Sequence, residues 1–389
     1  MIKKILMLFY LRQIQITKLY LSKLGVITPL INPFAFLFIE DHPKRQLIRA
    51  SKYTLENYNI EPIPLDPKPK VRSNKIRVGY FSADFRDHAV SYQIAQVLAL
   101  HDRSKIEVYA YSFGQADDDI RKRIIGAVDH FKDVTDMSDK AVALLAREDK
   151  IDIAIDLMGY TRGSQPRIFA LRAAPVQIYL FGGTTGASYI DYIIGDHTVI
   201  PDRLRKYYQE KIIYLPHSYM PTDNTLEISD TIMTRKDMGL PENGFVFCCF
   251  NNSYKITPRE FDIWMRLLTK VEGSVLWLSY FNKAVTDNLQ KEAELRGVDP
   301  SRLINAENIN KAGHLARHRL ADLFLDTFNF NAHSTASDAL WAGLPIITKK
   351  GEQFFARCAA SIVNAVGVPE LIVNTEKEYE DHALRLATN

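Results

Sequence analysis

Residues 75–112 read KIRVGYFSADFRDHAVSYQIAQVLALHDRSKIEVYAYS. Two short runs rich in β-branched and aromatic residues, KIRVGYFS and KIEVYAYS, flank a helical pattern, AVSYQIAQVLALH. Strand, helix and strand at this spacing form a βαβ unit, and such units build parallel sheets. Outward from this stretch the alternation continues. DKAVALLARED is helical, and IDIAIDL, VQIYLF, DYIIGD and KIIYLP are short β-rich runs. Around Pro216 and Pro221 the periodicity lapses. It resumes with FVFCCF, PREFDIWMRLLTKV, SVLWLSY and TDNLQKEAELRG, and later with LFLD, PIIT and FFARCAASIVNAVG. The expected fold is α/β, with two Rossmann-like domains at 75–215 and 240–389 joined by a connection at 216–239. Residues 1–74 are expected to form a helical extension, interrupted at Pro29 and Pro33, that ends in the Pro-rich linker EPIPLDPKPK. Such sheets bind ligands at the carboxyl ends of their strands and in the cleft between domains.

Composition narrows the function. The chain has 389 residues, 47% hydrophobic and 24% charged, which is ordinary for a globular protein. A net charge of +3 is too small to argue for nucleic acid. The charge is unevenly placed: Lys3, Lys4, Arg12, Lys18 and Lys23 precede the first acid, Glu40. That basic N-terminus is a candidate contact for a partner or a membrane surface. Cys248, Cys249 and Cys358 are an odd count, and two are adjacent in an apolar run. This argues against disulfides and thiolate metal sites and fits a reducing, cytoplasmic setting. No apolar run reaches the roughly 18 residues of a membrane span. ILMLFYL is short for a signal peptide and lacks a small-residue cleavage site.

The strand-end rule ranks the motifs. NAHSTASDALWAGLP, 331–345, opens a helix after the strand LFLD. Thr335 and Asp338 fit a capping role, and Gly343 and Pro345 a helix stop. His333 and Ser334 exceed what capping needs and suit a phosphate at the helix N-terminus. CFNNSYKITPRE, 249–260, repeats the layout: Thr257, Pro258 and Glu260 form a capping box. Lys255 projects from that loop, either as a solvated lysine or as the point charge that neutralises a diphosphate, with Asn251 and Asn252 beside it. NKAGHLARHRLAD offers Lys311, His314 and Arg317, either as a cationic helix face or as nucleobase contacts. FSADFRDHAVS puts His88 just ahead of a helix, as cap or general base, with Asp84 and Asp87 nearby. DLMGYTRGS and FGGTTGAS supply two loops for a sugar or acceptor, with Tyr160, Thr161, Gly183, Thr184 and Thr185. Neither holds G-x-G-x-x-G or a P-loop. No metal is expected: His333 lacks a His or Cys partner at ligand spacing, and DDD at 117–119 reads as a polar loop.

RVGYFSADFRDHAVSY, DIAIDLMGYTRG, GTTGASYIDYIIGD, CFNNSYKITPREFDIWMRLL and AHSTASDALWAGLP, in this order, resemble the catalytic region of O-GlcNAc transferase and its SPINDLY-like relatives. The resemblance covers about 75 to 389. It implies a GT-B glycosyltransferase that needs no metal, inverts the anomeric carbon, and moves GlcNAc from UDP-GlcNAc to Ser or Thr hydroxyls of proteins. It implies an active-site role for His88 and a diphosphate contact for Lys255, with Asn252 beside it. Lys311, His314 and Arg317 become nucleoside contacts, His333, Ser334 and Thr335 the diphosphate cradle, and Asp338 the ribose contact. Two positions depart from the family pattern: Phe181–Gly182 replaces a Tyr-Pro pair, and Asp152 a His. Three other readings remain. KITP and REDKIDI lean toward a GDP-fucose donor. A hydrolysing epimerase would need cleft carboxylates, for which Asp84, Asp87 and Asp156 are the candidates. A truncated, non-catalytic nucleotide- or partner-binding homologue fits the lack of a 34-residue repeat in 1–60 and the stop at Asn389.

Overall fold

The computed structural model describes residues 31–65 and 74–388. A short 3₁₀ turn, Pro33–Phe36, leads into helix α1 (Pro43–Tyr58). Then come β1 (Ile76–Ser82), α2 (Ala89–Leu100), β2 (Ile106–Ser112), α3 (Asp119–Gly126), β3 (His130–Asp133), α4 (Asp139–Glu148) and β4 (Ile153–Asp156). α5 (Pro166–Ala170), β5 (Val176–Tyr179), β6 (Tyr192–Gly195) and β7 (Lys211–Tyr214) complete the first sheet, ordered β3-β2-β1-β4-β5-β6-β7. Every recorded pairing is parallel, and Val78 of β1 lies between Val108 and Ile153.

The second sheet alternates β8 (Val246–Cys249), α6 (Pro258–Lys270), β9 (Val275–Ser279), α7 (Lys283–Glu294), β10 (Leu303–Ala306), α8 (Lys311–Arg317) and β11 (Leu323–Leu325). It closes with α9 (Ser334–Trp341), β12 (Ile346–Lys349), α10 (Cys358–Val366), β13 (Ile372–Val373) and α11 (Glu376–Thr388). Its strand order is β10-β9-β8-β11-β12-β13, again parallel. Strand order reverses between β1 and β4 and between β8 and β11, so a crevice opens at each of those points. The loops after β1, β8 and β11 carry His88, Lys255 and His333. All three cysteines are free and buried.

DDD at 117–119 is loop only as far as the helix start: Asp117 is irregular, Asp118 Oδ1 caps α3 by accepting from Arg121 N at 2.8 Å, and Asp119 begins the helix. The strand HFKD was not legible, because it is an edge strand with mixed polarity. The expected extension is helical through α1, and the described stretch ahead of it, 31–42, forms a strap across both domains. Asn32 Nδ2 donates to Tyr160 O at 2.8 Å on one side. On the other, Asp41 accepts from Glu352 N and Gln353 N at 2.7 and 2.6 Å, and Gln353 Nε2 donates to Leu37 O at 2.8 Å. The expected contact through Lys3 to Lys23 lies outside the described residues.

Candidate active site

The capping box of α6 forms as expected. Thr257 N donates to Glu260 Oε1 at 2.7 Å, and Pro258 takes the first helical position. This anchors the loop that carries Lys255. Lys255 is not a solvated surface lysine. Its ammonium donates to Asn331 O at 3.1 Å and lies 4.2 Å from the Phe330 ring centroid. Burial lowers its pKa, and the nearby Asp326 carboxylate opposes that shift. Of the two amides, Asn251 makes the buried contacts, donating to Thr327 Oγ1 at 2.8 Å. The half-buried Asn252 presents its carbonyl to Lys255 N at 2.9 Å.

The start of α9 departs from the capping reading. His333, not Thr335, occupies the N-cap position, and no side chain caps the helix. Thr335 Oγ1 instead donates to Asn251 Oδ1 at 2.6 Å. The first N–H groups of α9 therefore keep their affinity for an anion. His333 is enclosed: its ring stacks on Phe355 at 5.6 Å, Nδ1 lies 3.3 Å from Tyr219 Oη, and Nε2 has no partner. Burial, with Lys255 beside it, drives its pKa far down, so the imidazole is neutral. The helix stop is as read, with Gly343 at φ +87°.

Asp338 does not cap α9 either. Its Oδ1 lies 2.6 Å from Lys311 Nζ, and His314 Nε2 is 4.0 Å from Oδ2. Burial raises its pKa against the pull of Lys311. His314 is pushed down to about 2 by burial, then by His318, Arg317 and Lys311, and is neutral. Arg317 does not reach the cleft. It lies in the domain interior over Phe250 at 5.0 Å, and Nη1 donates to Glu307 O at 2.5 Å. It supports the helix that bears Lys311 and His314.

Across the cleft, His88 is both the N-cap of α2 and a cleft residue. Its Nδ1 accepts from Val90 N at 3.3 Å and lies 3.4 Å from Asp84 Oδ2. Burial lowers its pKa, and Asp84 opposes this. A cavity of about 290 Å³ joins the two domains, lined by His88 and Tyr92 on one side and Lys311, Ser334 and Asp338 on the other. Ser334, Ser337, Asp338 and Trp341 also line it, at the i, i+3, i+4, i+7 spacing of one helix face. Among the described residues no group of three His, Cys, Asp or Glu side chains is placed to hold a metal ion.

None of the five candidates in the two glycine- and threonine-rich loops lines that cavity, nor do Asn252, Lys255, His314, Arg317, His333 and Thr335. Thr184 Oγ1 and Thr185 Oγ1 donate to the buried Glu210 at 2.7 and 2.5 Å. Tyr160 Oη donates to Thr185 O at 2.6 Å, and Thr161 Oγ1 to Met158 O at 2.9 Å. Gly183 lies where the domains touch; a Cβ there would stand 3.3 Å from Phe354 Cβ. Of the departures, Phe181 takes φ +82°, rare for a side chain of its size. Asp152 sits just before β4, at the end of the sheet away from the cleft, accepting from Arg77 N at 2.9 Å. Sequence reasoning missed Tyr92, Glu210, Tyr219 and Asp326. Of these only Tyr92, one helical turn after His88, carried a positional signal.

The family model for glycosyl transferase family 41 matches residues 28–229 and 221–389. The chain is 38% identical over 351 residues to a protein of Arabidopsis thaliana described as a probable UDP-N-acetylglucosamine–peptide N-acetylglucosaminyltransferase, SEC; the match covers 88% of this chain and 36% of that protein. It is 32% identical over 336 residues to the SPINDLY protein of Oryza sativa, which carries the same enzyme description, with 82% and 35% covered. The chain thus spans little more than a third of the length of these relatives. Among solved structures, a mutant of Thermobaculum terrenum O-GlcNAc transferase superposes with a TM-score of 0.84 at 28% identity, over 92% of this chain and 69% of that one.

Proposed function

Because the chain belongs to glycosyl transferase family 41, we propose that it is an inverting, metal-independent GT-B enzyme that moves GlcNAc from UDP-GlcNAc to Ser or Thr hydroxyls of proteins. One observation carries this reading. The uncapped start of α9 in one domain, with Ser334 on the cavity wall, lies across that cavity from His88 in the other, and the buried Lys255 is held in the loop after β8 of the same domain as α9. The diphosphate of a nucleotide sugar sits at the N-terminus of α9, where Ser334 and Thr335 offer N–H groups and Lys255 a positive charge. Asp338, Lys311 and His314 take the nucleoside side. His88, neutral at pH 7, exchanges its Nδ1 contact with Val90 N for one to Asp84 Oδ2, which places the ring proton on Nδ1 and frees Nε2 to accept the proton of the acceptor hydroxyl as that oxygen bonds to the anomeric carbon. The bond from that carbon to the diphosphate breaks on the opposite face, which inverts the centre, and Lys255 stabilises the anion that leaves. Such electrostatic stabilisation is worth a few kcal/mol per donor.

The relatives described as peptide N-acetylglucosaminyltransferases support the donor and acceptor class. Three free cysteines fit a cytoplasmic setting, and no described helix is long and apolar enough to cross a membrane. The test is transfer of labelled GlcNAc from UDP-GlcNAc to a Ser/Thr peptide library by the purified chain, with UDP and GDP binding measured by calorimetry. UDP binding and transfer, both weakened by Lys255→Ala, support the reading. A preference for GDP replaces it with the fucosyl donor. Binding of neither nucleotide overturns it in favour of a non-catalytic homologue.

A further inference from the structure

Asp326, at the end of β11, is fully buried and has no part in the mechanism above. Four donors converge on its carboxylate. Oδ1 accepts from Thr327 N at 2.8 Å, Ala332 N at 2.6 Å and Asn251 Nδ2 at 3.2 Å. Oδ2 accepts from Thr348 Oγ1 at 2.7 Å. These donors come from the ends of β8, β11 and β12, so one side chain ties three strands together where the crevice opens. The turn between Thr327 and Ala332 is closed by the same network: Thr327 Oγ1 donates to Phe330 O and Asn331 Nδ2 to Thr327 O, both at 2.7 Å. This turn presents the Asn331 carbonyl and the Phe330 ring to the Lys255 ammonium.

A buried ammonium beside one carbonyl and one aromatic face is poorly stabilised. The other groups that bear on it are Cys249 from β8, Cys358 from α10 and His333 from the start of α9. Burial holds both thiols protonated and the imidazole neutral, so none of the three elements supplies an anion. Asp326, whose pKa burial pushes up to about 7 against the pull of its donors and of Lys255, is the remaining acid.

We propose that Asp326 is the positioning residue and counter-charge of Lys255, shaping the turn that holds the ammonium and keeping it cationic until the diphosphate arrives. The proposal rests on the reading of Lys255 as the diphosphate partner. It adds that the charge of this lysine is set from beneath, by a carboxylate that never touches substrate. Burial lifts Asp326 and depresses Lys255, and each charge opposes the shift of the other. Loss of the carboxylate therefore moves Lys255 further down.

The test is direct titration of Lys255 by NMR of the full chain labelled at lysine Cε, with Lys255→Met to assign the resonance. Asp326→Asn is expected to lower the Lys255 midpoint by about one pH unit or more. UDP affinity should then fall away at a correspondingly lower pH than in wild type. A purely structural role would weaken UDP binding equally at every pH and leave the midpoint in place; that result overturns the proposal. Should Asp326→Asn fail to fold, Thr348→Val removes the donor to Oδ2 without removing the charge. Asp326 then protonates more readily, and the Lys255 midpoint moves the same way by a smaller amount. An unmoved midpoint in folded Thr348→Val overturns the proposal as well. Wild type that titrates as expected but transfers no sugar would sink the enzymatic reading alone.

Discussion

Lys311 Nζ lies 2.6 Å from Asp338 Oδ1, and the same ammonium lies 5.1 Å from the ring centroid of Tyr92 in the opposite domain. The pair is mostly buried and lines the cavity, so a nucleoside arriving beside Asp338 meets a site whose charges are already matched. Removing the carboxylate would strand Lys311 and delete an acceptor for a ribose hydroxyl. Asp338→Ala is expected to weaken UDP binding by on the order of 2 kcal/mol, a factor of about 30 in Kd. Asp338→Asn, which keeps an acceptor, should lose less. Calorimetry decides; UDP affinity unchanged in Asp338→Ala would remove this residue from the nucleotide site.

His88 gives a pH dependence with a defined sign. Burial and Arg86 lower its pKa, while Asp84 and Asp87 raise it. A general base must be neutral, so transfer should fail only as pH drops below the ordinary histidine range near 6.5. Asp84→Asn removes a partner that favours the charged ring, so the acid limb should move lower still. His88→Ala should cost about 10²- to 10⁴-fold in kcat while leaving UDP binding intact. The profile of kcat against pH checks both, and an acid limb that shifts upward in Asp84→Asn would rule out this sign.

The βαβ rhythm was legible because inner parallel strands are buried on both faces and read as unbroken apolar runs; all four residues of VFCC in β8 are buried. Positions at strand ends were legible for the same reason, and His88, Lys255 and His333 fall there. What those side chains do was less legible, since it depends on partners distant in sequence. Thr184 and Thr185 read as sugar contacts, yet Glu210 takes both hydroxyls. Thr335 read as a cap, yet Asn251 accepts its hydroxyl. Asp326 ended an apolar strand and gave no local sign that four donors would surround it. The strap ahead of α1 had no periodicity to reveal that Gln353 would hold Leu37.

Gly186 tests how firmly α1 is built into the first domain. It takes φ +63°, and a Cβ there would stand 2.3 Å from Ser51 N and 2.6 Å from Ala50 C, both backbone atoms of α1. A side chain must therefore push the helix away as well as accept a left-handed backbone, which alone costs about 1–2 kcal/mol. The helix also donates Thr54 Oγ1 to Thr185 O at 3.1 Å, so its displacement loosens that loop. Gly186→Ala is expected to lower Tm by several degrees. Gly239→Ala, at φ +69° with open space around it, should cost less. Equal losses in the two variants would show that the close approach to α1 carries no weight.

A leaving diphosphate needs positive charge, supplied either by a divalent cation or by the protein. Here the protein has the means: the uncapped N-terminus of α9 and Lys255 in the adjoining loop. Transfer and UDP binding are therefore expected to survive EDTA unchanged, whereas Lys255→Ala should reduce kcat by at least 10²-fold, on the order of 3 kcal/mol. Lys255→Arg separates charge from fit. The guanidinium keeps the charge but is broader than the ammonium that Asn331 O and Phe330 enclose, so it should restore only a fraction of the rate. Steady-state kinetics with and without EDTA check all three expectations. Loss of activity in EDTA, restored by added magnesium or manganese, would assign the charge to a metal instead.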